Sequence, residues 1–106
     1  MNEKAVEVLV GAALRGERQI KNTLTDYAGG MCANGFLLKS LYGSTARMVD
    51  AYWNRGEEYE AHFGLTQTKC SECGVDMVRP RFLLAHMNNR HDLDLLALAR
   101  KFGPTT

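Results

Sequence analysis

Cys70-Ser71-Glu72-Cys73, followed by His86 and then His91, is the stretch on which the reading of this chain turns. The spacing across residues 70–91 is C-x2-C-x12-H-x4-H. Zinc takes four thiolate and imidazole donors at about 2.0–2.3 Å in a tetrahedron, and this spacing can supply them. A tight turn through Ser71 and Glu72 brings two sulfurs to one side of an ion. A helix starting at Pro80, where a missing N–H costs nothing, brings two imidazoles to the other. His86 and His91 are five residues apart, more than one turn of about 3.6 residues. Both rings reach one ion if the helix loosens near its end, and Asn88 and Asn89 are poor helix formers placed between them. The ligand set is therefore Cys70, Cys73, His86 and His91, with Zn2+ as a structural ion. Four protein donors leave no open position for a reacting water, so a catalytic metal is not expected. A redox role for Cys70 and Cys73 needs a thioredoxin-like βαβ setting, which the flanking sequence does not supply.

The surrounding chain fits a small folded domain. It has 106 residues, 45% of them hydrophobic, and a formal net charge of +1. A chain this size buries roughly 60–70% of its unfolded surface, so a metal staple adds materially to its stability. Acidic and basic residues are interspersed, which excludes a strong overall field for nucleic acid but not a local basic patch. No stretch approaches the roughly 18–20 apolar residues that span a bilayer, so no membrane contact is expected. The apolar run from Ala5 to Leu14 is interrupted by Glu7 and reads as a mature helix rather than a signal peptide. The cysteine count is three. Zinc would use two and leave Cys32 as a small core residue, an arrangement suited to a reducing cytoplasm.

Working outward, the pattern predicts helices over Glu3 to Leu14, Ala33 to Tyr42, a segment capped by Ser44 or Thr45 that carries Met48, Val49, Tyr52 and Trp53, a short turn from Glu57 to Phe63, and Pro80 to about Asn89. A last helix, capped by Asp92, carries Leu95, Leu98 and Phe102. Residues 19–32 read as a short β-hairpin around the turn cluster Asp26 to Gly30. The domain division is one unit, 1–106, with a helical part over 1–64 and a metal unit plus final helix over 65–103. Trp53, Tyr52 and Tyr59 lie at helical spacing and read first as core. His62 reads as a surface or hydrogen-bonded histidine. No nucleophile–base pair, phosphate loop or carboxylate pair is evident, so an enzyme is not expected.

Residues 70–91 also resemble a C2H2 zinc finger. Beyond the ligands, an apolar residue stands four after the second cysteine (Met77, where an aromatic is usual), and Leu83 stands three before the first histidine. The resemblance implies a ββα unit around zinc, and with it an α+β, mostly helical fold. It also raises DNA reading. Positions minus one, two, three and six of such a helix fall on Arg79, Arg81, Phe82 and Ala85. Arg79, Arg81 and Arg90 are the candidate nucleic-acid contacts; Phe82 and Ala85 are poor base readers. Phe82, Leu84 and Ala85 need a second apolar surface, and the rest of the chain is the nearest. One finger covers about three base pairs, too few for specific binding alone.

A second resemblance concerns Ala13-Leu14-Arg15-Gly16 and Gly29-Gly30-Met31-Cys32-Ala33-Asn34-Gly35-Phe36-Leu37, which are similar to stretches of small uncharacterised phage and prophage proteins. It implies a mobile-element origin and a host-cytoplasmic setting, without an activity. The expected function is a zinc-stabilised protein-interaction module, a phage-encoded modulator of a host machine in the sharper form. The alternative is a DNA- or RNA-binding regulator using the single finger. Nothing in the sequence fixes an oligomeric state.

Overall fold

The computed structural model describes residues 1–103, and they form six helices: α1 Glu3–Leu14, α2 Ala33–Tyr42, α3 Thr45–Asn54, α4 Gly56–Phe63, α5 Pro80–Arg90 and α6 Leu95–Phe102. Their boundaries follow local chemistry. Asn2 caps α1 by accepting from the Ala5 N–H, Ser44 caps α3 through Arg47, and Gly43 and Gly64 end α2 and α4 in left-handed conformations open to glycine. The final helix is capped by Asp94, which accepts from the Ala97 N–H, and not by Asp92. Asp92 instead takes a left-handed turn (φ 54°) and pairs with Lys21.

α2 is the hub. Six consecutive residues from Ala33 to Leu38 are buried, and α2 packs against α1, α3, α4 and α5. A helix buried all round lies inside the core rather than on its surface. α1 and α6 lie together, and Leu9, Leu37, Leu38, Met48, Leu83, Leu84, Met87 and Leu98 are fully buried in one cluster.

The fold class expected from the finger resemblance is corrected here. Among the described residues there is no strand and no sheet, so the architecture is all-helical and contains no ββα unit. Around the cysteines a single bridge joins Lys69 to Asp76. Beside it the Met77 N–H donates to Thr68 O (2.9 Å) and the Cys70 N–H to Val75 O (2.8 Å), but the pairing goes no further, and Pro80, which has no N–H, then opens α5. The hairpin expected over 19–32 is likewise absent. That segment is a loop in which Gln19 and Thr25 each make one isolated bridge to Met31. Asp26 closes it by accepting from the Ala28 and Gly30 N–H groups, both at 2.9 Å. Asn22 and Tyr27 adopt left-handed φ angles of 67° and 61°, which break any extended run.

Candidate metal centre

The turn at Cys70 is built from its own backbone. The Cys70 N–H donates to Val75 O (2.8 Å), the Gly74 N–H donates to Cys70 O (2.9 Å), and Gly74 takes the positive φ of 80° that the reversal requires. This folds the Glu72 N–H onto the Cys70 sulfur at 3.4 Å. Burial alone would raise the Cys70 thiol. N–H groups of Cys73 and Glu72 and the Cys73 side chain outweigh it and leave the thiol below its ordinary value, favouring the thiolate that ligates metal. Glu72 pairs with Lys101 of α6, which fastens the turn to the last helix and lowers the Glu72 carboxyl.

The imidazoles arrive from α5. That helix runs through Asn88 and Asn89 to Arg90, and His91 follows it as its C-cap (φ −107°, ψ 6°). The second ring thus reaches round from the residue that leaves the helix, not from a loosened last turn. Cys70 Sγ lies 3.5 Å from His91 Nε2, Cys73 Sγ lies 3.3 Å from His86 Nε2, and the two Nε2 atoms are 3.1 Å apart. Donors of a tetrahedral zinc ion stand about 3.3–3.8 Å from one another, the edges set by bonds of about 2.0–2.3 Å. One donor atom from each of the four residues lies within 4.8 Å of all the others. They are close enough to hold a metal ion. His86 is held below its ordinary pKa, by burial first and then by the charges of His91 and Arg90, so the neutral, ligating ring is favoured.

Asn88, between the two histidines, is the residue whose role the sequence did not disclose. Its side chain is fully buried and uses all of its hydrogen-bonding capacity. Oδ1 accepts from the Ala33 N–H (3.1 Å) and from Gln19 Nε2 (2.8 Å), while Nδ2 donates to Ile20 O and Asn89 Oδ1, both at 2.9 Å. The first of these bonds caps α2, because Cys32 at the N-cap position offers no side-chain bond of its own. One side chain on the metal helix therefore starts the hub helix and ties down the 19–31 loop. Only a low helix propensity marked it beforehand.

Arg79, Arg81 and Arg90 do not form one basic patch. Arg81 is 7% exposed; its Nη1 pairs with Glu60 at 2.9 Å, and Glu60 also accepts the Arg81 N–H at the start of α5. The Arg81 guanidinium lies against Gly56, where a Cβ would overlap it. Arg79 pairs with Glu57, and Arg90 is exposed at the far end of the helix, about 16 Å away along its axis. Leu84 is fully buried and Phe82 packs against Tyr52 and Trp53, so the α5 surface that would read bases is largely covered. Tyr59 is core and donates to Asn34 Oδ1 at 2.6 Å, whereas Trp53 is 64% exposed, contrary to its reading as core. Cys32 is buried and His62 exposed, both as the sequence suggested. No helix among the described residues is long and apolar enough to cross a membrane.

No known protein family, curated protein or solved structure matches the chain.

Proposed function

We propose that the Cys70, Cys73, His86 and His91 centre holds a structural zinc ion, and that the domain it staples is a protein-interaction module working in the cytoplasm. Two sulfurs and two imidazole nitrogens gathered within 4.8 Å of one another are a donor set typical of structural zinc. The likeness to C2H2 fingers then lies in ligands and spacing alone, on a helical scaffold. All four positions come from protein, which suits a staple rather than a catalyst.

The interaction reading is carried by an apolar groove away from the metal. Val6 and Val10 of α1 meet Leu96 and Ala99 of α6 around a groove of about 230 Å3, with Arg100 at its rim. Leu96 is 43% exposed. With a net charge of +1 and Arg81 committed to Glu60, protein contact fits this surface better than a phosphate backbone does. In its sharper form the module is phage-encoded and modulates a host machine, which rests on the sequence likenesses at residues 13–16 and 29–37.

Affinity capture from host lysate, with and without nuclease, tests the reading. A partner retained after nuclease and lost on Leu96→Glu supports it. Recovery that depends on nucleic acid, falls steeply with salt and is abolished by reversing Arg79 and Arg90 would favour the regulator instead.

A further inference from the structure

A second cleft, sharing no lining residue with the α1–α6 groove, lies between the 22–27 loop, α3 and α5. Its volume is about 360 Å3, within the range of small-ligand pockets. Leu24, Val49 and Ala85 give it apolar walls, and no charged side chain lines it. Two exposed aromatic rings border it, Trp53 at 64% and Tyr27 at 77%. Tyr27 is held there in a left-handed conformation that bulky residues rarely adopt, with its N–H donated to Thr25 Oγ1 at 3.1 Å.

Tyr52 also lines this cleft. It is 7% exposed overall; its hydroxyl makes no hydrogen bond to a described residue, and that oxygen keeps access to solvent. Tyr59, fully buried, instead donates to Asn34. An accessible phenol hydroxyl without a protein partner is free to donate to a ligand. Burial pushes the Tyr52 pKa up to about 12, so the group is a donor at neutral pH. Asn89 adds a second donor: its Oδ1 is engaged by the Asn22 N–H and by Asn88, which leaves its Nδ2 without a partner among the described residues.

We infer that this cleft binds a neutral nucleobase, stacked against Trp53 and Tyr27 and hydrogen-bonded at its edge by Tyr52 Oη and Asn89 Nδ2. A base has a flat π-face for the aromatic border and carbonyl or ring-nitrogen acceptors for the donors. A hydrocarbon side chain would bury those donors unpaired. A free phosphate or carboxylate finds no cation in the lining. The base belongs either to a free nucleoside or to a single strand.

Trp53 is the chain's sole tryptophan, so its indole N–H resonance reports on the cleft without ambiguity. The probes are adenosine, guanosine, cytidine and uridine, the corresponding short single-stranded homo-oligonucleotides, and toluene as a ring without acceptors. At least one nucleoside is expected to shift the Trp53 resonance saturably. Tyr52→Phe, which keeps the ring and the packing, is expected to weaken that binding about fivefold to tenfold, the effect of one hydrogen bond. Thermal melting of the variant confirms that it folds. An oligonucleotide binding more tightly than its nucleoside, with affinity falling as salt rises, identifies a strand as the source; equal or weaker binding identifies the free nucleoside. No saturable shift from any nucleoside or oligonucleotide, toluene binding as well as they do, or a folded Tyr52→Phe that binds unchanged overturns the proposal. A free-nucleoside result, or no binding at all, leaves the α1–α6 groove and the protein partner untouched, whereas a single-strand result would favour the nucleic-acid regulator over the protein-interaction module.

Discussion

Asn88 concentrates more of the architecture than either histidine beside it. Its replacement by alanine strands the Ala33 N–H and the Ile20 carbonyl and leaves Gln19 Nε2 with its bond to Leu93 O alone. Losing a helix cap and leaving buried groups unpaired amounts to about 2–4 kcal/mol. Asn88→Ala is therefore expected to lower unfolding free energy by that amount in denaturant titration, with the metal ligands untouched. A loss below about 0.5 kcal/mol would mean that water replaces the side chain at no cost. Asp26 makes a different kind of contribution. Hydrogen bonds from Ala28 and Gly30 and the Arg18 ion pair hold its carboxyl below the ordinary 3.8, against the opposing effect of burial. A depressed carboxyl stabilises the fold above its unfolded pKa, and that stability is lost as pH falls through the folded value. The gap in stability between the wild type and Asp26→Ala should be full at neutral pH and should narrow as acidity passes below 3.8. A gap that does not change with pH would remove the charge from the explanation.

At the scale of elements, the sequence disclosed helices better than it disclosed what joins them. Periodic apolar positions and caps such as Ser44 marked α1, α2 and α3 because those signals are local. The loop over 19–31 was misread as a hairpin because its determinants are distant: Asn88 and Asn89 hold its backbone from sixty-odd residues away. The ββα expectation failed for a related reason, since ligand spacing specifies where donors stand and not whether strands connect them. The gathering of Cys70, Cys73, His86 and His91 close enough to hold an ion was legible from spacing alone, whereas the burial of Arg81 depends on Glu60 of α4, which no local pattern announces. Gly35 tests the contact between loop and hub. It sits in the first turn of α2, where alanine would ordinarily gain about 1 kcal/mol of helix propensity. A Cβ there would run into the Leu24 carbonyl oxygen. Gly35→Ala is expected to destabilise by about 1–3 kcal/mol in thermal or chemical unfolding, and a stabilised variant would show that the loop yields freely.

Across the whole molecule, the segments that hold the metal ligands also complete the core. α5 contributes Leu83, Leu84 and Met87 to the buried cluster, while the cysteine turn is tied through Glu72 to α6, which packs on α1. Release of an ion from this centre should therefore be felt beyond the turn itself. A ligand variant such as Cys73→Ala should lose cooperative unfolding and expose the core, because a structural ion contributes its binding energy to folding. The direct measurement is metal analysis of the purified, folded chain paired with its thermal unfolding in the presence of a strong chelator. The account predicts one zinc ion per chain and a melting transition that collapses as the chelator removes it. A folded chain free of zinc, or a transition that the chelator leaves in place while the metal departs, would contradict it.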